Sequence, residues 1–456
     1  MPKIVVINNA TEQMLGQRLT VSQAGFAAKA ALRNIWLAYA GDIAVSSAEI
    51  TAEFLSYVSK IASFTREAGV PEFVRADTDG VTNVVLQDRY LLRANFIESL
   101  RARITDPQNW SLLACYQTAG TANLQAKLGL ATSRGEEIGR NFSEFMGTNL
   151  LNRKSHFRQL AAGCRLPLAD GRLVTSASSL LEAVDSLIPV TGKVIVKQDN
   201  GAGGTGNCIL TANISDPLPG AYASIALPQE RQAVKNELAE MWKQWQDLSP
   251  GPMVAEVYHS ATAMFYLEFL IDADGRAHFM NTGAIRVRPH DDPLVKELFW
   301  VGLELPAKLP PATLAAALVH CHALLRLAAA MGYRGHVNID AITTEEGELL
   351  FNEINARWGG GTVLHDLATR LVGPNFVDTH VAASFRDVRS PGFGKLVEVL
   401  EKHHMAFDPR TKEGIVVLAC DDQHSGTFEA LILARSSDRA RMFEQRLVEV
   451  LESLGG

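Results

Sequence analysis

Apolar and polar positions change period several times along this chain. Residues 3–7 form a β-branched run that stops at Asn8-Asn9, the pattern of a buried strand feeding a loop. Segments 20–40 and 47–68 carry apolar residues at helical spacing, and 81–86 and 112–116 read as strands. Strand and helix signals alternate over residues 1–147, which predicts an N-terminal α/β domain. Helices are then expected over 151–162 and 178–187, a strand over 193–197, a glycine-rich run over 199–207 and a helix over 229–248. Strand patterns follow at 253–258, 264–271 and 277–287, and Pro310-Pro311 opens a long helix over 312–331. Segments 337–342 and 349–354 form a hairpin. Beyond about Pro391, one helix, two strand-like runs and a last charged helix predict a small α+β domain. The fold class is thus multidomain α/β and α+β, with units at 1–147, 148–390 and 391–456.

Composition narrows the function classes. With 47% hydrophobic and 20% charged residues over 456 positions, the chain can bury several cores and is not disordered. Its net charge of −7 argues against non-specific binding to nucleic acid or an anionic membrane. The apolar run 4–7 is too short for a signal sequence. The longest apolar stretch, 314–331, is interrupted by His320, His322 and Arg326, so no membrane span is expected. The five cysteines are odd in number and contain no C-x-x-C pair, the pattern of reduced thiols in a cytoplasm.

Candidate chemistry begins at the hairpin HVNIDAITTEEGELLFNEINAR. A turn between Glu346 and Gly347 would set Asp340 opposite Glu353 and Asn338 opposite Asn355. Glu353, Asn355 and Arg357 then share one face, so Asp340, Glu353 and Asn355 form a set of hard oxygen ligands suited to Mg²⁺. The plainer alternative is two carboxylates on a solvated sheet face. In KVIVKQDNGAGGTGN, Lys197 ends a strand and Gly203, Gly204, Thr205 and Gly206 lie in a loop whose N–H groups can approach phosphate oxygens. The lysine precedes the glycines and no helix signal follows, so this is neither a P-loop nor a dinucleotide fingerprint. Arg286 and Arg288 stand at i and i+2 on a strand, a fork for carboxylate or phosphate, or two solvent-facing arginines. Glu256, Val257 and Tyr258 end a strand whose backbone could line an adenine pocket. The run Trp358-Gly359-Gly360-Gly361-Thr362 after Arg357 could aim N–H groups at a substrate oxygen. His320 and His322 diverge on their helix and make no metal pair.

The order Lys154, Lys197 with its glycine loop, Glu256, the arginine strand, Asp340 and Glu353-x-Asn355-x-Arg357 resembles the ATP-grasp superfamily over about residues 148–390. Within it the chain is similar to the pheganomycin-type peptide ligases. The resemblance implies ATP between two lobes. Lys154, Lys197, Gly203, Gly204, Thr205 and Gly206 would lie on the phosphates, and Glu256–Tyr258 at adenine. Mg²⁺ would be bound by Asp340, Glu353 and Asn355. It implies ATP-dependent joining of a small carboxylate to the amine of an amino acid or peptide, through an acylphosphate, in peptide natural-product biosynthesis. Arg286, Arg288 and Arg357 are then the candidate catalytic cations, and Trp358 to Thr362 the candidate substrate contacts. A homodimer is compatible with the resemblance. The competing readings are another ATP-grasp enzyme of carboxylase type and a non-catalytic ATP-binding regulatory protein. Two departures stand out: Arg153 precedes Lys154 where relatives often have Asp, and Asn338 stands where many ligases have Arg.

Overall fold

A computed structural model describes residues 1–16, 19–65, 69–81, 84–130, 134–201, 206–212, 218–221, 223–289 and 298–454. Gly203, Gly204 and Thr205 of the glycine loop lie outside these residues. Among the described residues seventeen strands form three sheets.

The first sheet is fully parallel. Its strands β1 (Lys3–Val6), β2 (Ile43–Ser46), β3 (Glu72–Arg75) and β4 (Ser111–Ala114) lie in the order β3-β2-β1-β4. β1 is buried throughout its last three residues, as a central parallel strand covered on both faces must be. The strand expected at 81–86 is not a strand in its described residues. Val85 and Leu86 are buried as core side chains, but β3 takes the place beside β2. Apolar burial without a ladder partner mimics a strand in sequence.

The second sheet holds β5 (Gly171–Val174), β6 (Lys193–Gln198), β7 (Asn207–Thr211), β8 (Ala223–Ala226) and β9 (Met253–Val257), ordered β5-β9-β6-β7-β8. Its two faces differ. Val194 and Val196 pack with Leu180, Val184 and Leu238 of the covering helices, whereas Ile195 belongs to a small cluster with Ile209, Ala221 and Tyr258 on the other face.

The third sheet contains β10 (Ala261–Ile271), β11 (Ala277–Pro289), β12 (Leu298–Leu305), β13 (Gly335–Thr344), β14 (Leu349–Asn355), β15 (Val381–Arg389), β16 (Gly414–Asp421) and β17 (Thr427–Ala434). The order is β14-β13-β10-β11-β12-β15-β17-β16, so both tail strands extend the sheet that carries the acid hairpin. The tail also shares its core with the N-terminal unit: Trp36, Phe54, Leu396, Val416 and Leu431 belong to one cluster, and the Trp36 indole donates to the Leu418 carbonyl at 3.0 Å. The helix Pro311–Met331 is long and apolar enough, by length and composition alone, to cross a membrane. It lies along this sheet with Ala317, Cys321, Leu324, Leu325 and Ala328 buried against Phe265, Leu267 and Ile339.

Candidate functional site

The hairpin β13–β14 pairs Asp340 with Glu353 and Asn338 with Asn355. A bulge then shifts the register, so Ala341 faces Phe351 and Asn352 is the extra residue. The turn is therefore displaced, but the rows carrying the polar side chains are those read from the sequence. In-register neighbours continue across the sheet. Glu353, Asp340, Tyr266 and Gly283 form one row over four strands, and Asn355, Asn338, Glu268 and Asn281 form the next. One face of the sheet is thus a polar platform.

Its electrostatics suit a divalent cation. Asp340 is held well above the usual carboxylate range, first by burial and then by Glu353 beside it. Burial also opposes ionisation of Glu353, but Lys154, Asn355 and Lys197 outweigh it and pull that carboxyl down to about 2. Ionisation is thus favoured at Glu353 and disfavoured at Asp340, and a bound cation would offset the burial that opposes it at Asp340. Asn355 turns its amide nitrogen toward Glu353 at 3.2 Å and Asp340 at 3.5 Å, while its Oδ1 accepts from Arg357 at 2.7 Å. Ligation through Oδ1 would require that amide to turn over. Among the described residues no group of three His, Cys, Asp or Glu side chains is placed to hold a metal. A hard cation here would complete its shell with Asn355, water and substrate oxygens, the habit of Mg²⁺.

A set of cations faces this platform. The helix expected at 151–162 is broken at Arg153, whose extended backbone (φ −82°, ψ 130°) starts a second helix at Lys154. Asp199 fixes that start: its carbonyl accepts the Lys154 N–H at 3.0 Å and its Oδ1 the Ser155 N–H at 2.8 Å. Lys154 Nζ reaches across to Glu353 Oε2 at 3.2 Å. Lys197 Nζ lies 2.6 Å from Glu256 Oε2, and Arg158 holds the other oxygen at 2.7 Å. Ile195 and Lys197 share a face of β6, so an apolar wall of Ile195 and Ile209 leads into a cation. Such a wall suits a flat base with its phosphates at Lys197; the two isoleucines escaped sequence reading because they resemble ordinary core. The N–H groups of Val257 and Tyr258 bond the Asp170 and Lys193 carbonyls at 2.8 and 3.1 Å. They are therefore spent within the lobe rather than offered to a base. Gly206 follows the undescribed part of the loop, its carbonyl accepting from Gln198 N–H at 2.7 Å.

The arginines separate. Arg357 stays beside the ligand set, bonded to Asn355. Arg286 does not join it: Ala284 pairs with Phe265, so Arg286 lies on the sheet face opposite Tyr266 and Asp340. There it donates to both oxygens of Glu444 at 2.7 and 2.6 Å and to the Ser384 carbonyl at 3.0 Å. Arg288 is at the exposed end of the same strand. The glycine run is no flexible turn. Gly360 opens the helix Gly360–Leu371, and Gly359 N–H is capped by Thr362 Oγ1 at 2.9 Å. A Cβ at Gly361 would overlap the Tyr266 hydroxyl, and one at Gly359 would meet Asn338 Nδ2 at 2.8 Å. The glycines let this helix start lie directly on the polar platform. Trp358 is buried in the core with Leu303 and Leu364.

Three further polar residues appear only in the fold. Glu268 is fully buried, its Oε2 accepting from Asn281 at 2.7 Å and its Oε1 from the Thr362 hydroxyl. His336 Nδ1 lies 3.4 Å from Glu268 Oε1. Alternating apolar neighbours hide Glu268 within YLEFL; an acid inside a β-strand was the available signal. Nearby, the parallel sheet reverses its order between β1 and β4. Asn8 clamps Tyr116 there, donating to its carbonyl at 2.7 Å and accepting its N–H at 3.0 Å. Arg357 lies within range of this point: burial pushes the Cys115 thiol up to about 12, and the charges of Arg357 and Arg33 oppose that rise.

Comparison with known proteins agrees with this layout. Residues 31–130 match the family model of the Pre ATP-grasp domain and 395–447 that of the PGM1 C-terminal domain. No curated protein matches the chain. Among solved structures, an N5-carboxyaminoimidazole ribonucleotide synthetase in its ADP complex is similar at 12% identity and a TM-score of 0.56, covering 98% of this chain and 97% of that one. A biotin carboxylase from Campylobacter jejuni shares 12% identity at a TM-score of 0.52, over 96% and 88%. An L-amino acid ligase from Bacillus licheniformis shares 13% at 0.51, over 98% and 97%. The architecture is the multidomain ATP-grasp fold, with a pre-ATP-grasp domain ahead of it.

Proposed function

We infer from the ATP-grasp fold and its converging lysines and acids that this protein is an ATP-dependent carboxylate–amine ligase, of the peptide-ligase type. The observation that carries the reading is the contact of Lys154 with Glu353 at 3.2 Å, which joins the phosphate lobe to the acid hairpin beside Arg357. ATP would lie with its base on Ile195 and its phosphates toward Lys197 and Lys154. Asp340, Glu353 and Asn355 would hold Mg²⁺, which neutralises phosphate oxygens during transfer. A substrate carboxylate oxygen attacks the γ-phosphorus and ADP leaves, giving an acylphosphate. The acceptor amine then attacks the acyl carbon and phosphate departs. Arg357 is placed to meet the charge on the transferring group, and no protein nucleophile is needed. The carboxylate and amine partners would approach from the side of Asn8 and Tyr116, where the parallel sheet reverses its order.

A peptide product, in natural-product biosynthesis, is supported by the resemblance to the pheganomycin-type ligases together with the domain match over 395–447. Five cysteines without disulfides support a reducing, cytoplasmic setting. The test is a phosphate-release screen over paired carboxylate and amine libraries, with nucleotides separated by chromatography and products read by mass spectrometry. ADP, phosphate and an amide are expected. AMP with pyrophosphate would overturn the acylphosphate route, and turnover with bicarbonate as the only acid would move the protein to the carboxylases.

A further inference from the structure

The ligase reading leaves one proton without an acceptor. An α-amino group titrates at roughly 8, so at neutral pH the amine arrives mostly as ammonium and has no lone pair for attack. Asp340 and Glu353 are committed to the cation, and Lys154, Lys197 and Arg357 are themselves cations. We propose that His336, backed by the buried carboxylate of Glu268, takes that proton from the acceptor amine. The proposal rests on the ligase reading.

The placement follows from the strand. His336 shares the site face of β13 with Asn338 and Asp340. At about 3.3 Å per residue it stands roughly 13 Å from Asp340 along β13. That distance leaves room in sequence for the cation, the transferring phosphate, the acyl carbon and the incoming nitrogen. His336 also sits at the end of β13 that meets the N-terminal unit, where the Gln117 side chain donates to the neighbouring Arg334 carbonyl. Its own carbonyl is held by the Tyr333 hydroxyl at 2.6 Å.

Glu268 explains why the ring is usable. A wholly buried carboxylate is costly unless its oxygens are satisfied, and Asn281 and Thr362 occupy one oxygen each. Its Oε1 also faces His336 Nδ1 at 3.4 Å; Nδ1 is buried, has no hydrogen-bond partner among the described residues and is not aligned for one with Glu268. The side chain nevertheless keeps 16% exposure, which lies away from Nδ1. A small turn of the ring would make the Nδ1–H donate to Glu268 and leave Nε2 as the acceptor, the arrangement of a carboxylate-oriented histidine base. His365 on the helix Gly360–Leu371 lies within range of the His336 charge, and Tyr333, whose hydroxyl holds the His336 carbonyl, lies within range of Cys115 and Arg357. In the step itself an ammonium proton passes to Nε2 and frees the lone pair, and the amine nitrogen then bonds the acyl carbon as the acyl C–O bond to phosphate breaks. The second N–H proton, lost as the amide forms, leaves with the departing phosphate, and the imidazolium returns its proton to water.

The test uses two acceptors on the full chain. Hydroxylamine is largely unprotonated at neutral pH and needs no base to attack an acylphosphate. With Mg²⁺, ATP and a mixed amino-acid pool as donors, wild type should yield both hydroxamates and amides. His336→Asn keeps an amide near Glu268 but removes Nε2. It should keep hydroxamate formation within about threefold and lose amide formation by about 100-fold or more at pH 7, the loss shrinking above pH 9 as the amine deprotonates unaided. Glu268→Gln should show the same selective loss, smaller in size. A parallel fall in both products, or no fall in either, overturns the proposal and returns Glu268 and His336 to a purely structural role. Absence of hydroxamate from wild type would instead sink the ligase reading itself, and the base with it.

Discussion

Replacing Glu353 by glutamine tests the hairpin with almost no change in volume. In the metal-free protein, burial disfavours the charged form, yet Lys154, Asn355 and Lys197 bring the carboxyl from 4.5 to about 2. That drop corresponds to about 3 kcal/mol in favour of the anion. A bound divalent cation would act on the same charge, which makes about 3 kcal/mol the scale to test when the site is loaded. Spent on the transition state, it corresponds to a rate loss of about two orders of magnitude or more. Phosphate release would be followed against Mg²⁺ concentration, with MgATP affinity from calorimetry. The expected variant has a depressed kcat and needs more Mg²⁺ for half-maximal rate. Its fold should survive, because Glu353 faces the lobes' contact rather than a hydrophobic cluster. A variant with wild-type kcat and an unchanged Mg²⁺ dependence would refute the assignment of this acid as a ligand.

Two other substitutions probe the same geometry from different sides. Asp340 is held above the ordinary carboxylate range, so its protonated form favours the metal-free fold, and that stability is lost as pH rises through the raised value. Asp340→Asn should therefore raise the melting temperature in chelator at pH 7 while lowering turnover by about 100-fold; a lower melting temperature in chelator would contradict the burial argument. Arg286→Lys should behave as a stability variant, because the guanidinium makes two bonds to Glu444 and one to Ser384. A loss of about 1–3 kcal/mol in denaturant titration is expected, with nucleotide affinity unchanged and the effect smaller when Glu444 is already glutamine.

How much of this was legible in the residues depends on the range of the interactions. The pairing of Asp340 with Glu353 and the shared face of Glu353, Asn355 and Arg357 are both local. They follow from a period of two and a turn within twenty residues, and the bulge at Asn352 displaced only the turn side. Lys197 and the glycine loop were visible as residue types, because a cation ending a strand beside glycines suits phosphates, whereas Lys154 entered only through the family resemblance.

Tertiary structure decided the rest. Whether Arg286 serves the site depended on Glu444, 158 residues away, and on which sheet face the strand presents. The helix opening at Gly360 was hidden because three glycines carry poor helix propensity. Close approach to Tyr266 and Asn338 selects them instead. Glu268 and His336 became partners only when β10 and β13 paired antiparallel, and Thr362 joined them from 94 residues further along. Likewise, only the fold shows that the strands of the small C-terminal domain extend the sheet of the acid hairpin and that its core is continuous with that of the N-terminal unit. Sequence alone determines period, turns and the chemistry a segment can carry. Which faces meet is set by burial summed over the whole chain, and no local window contains that sum.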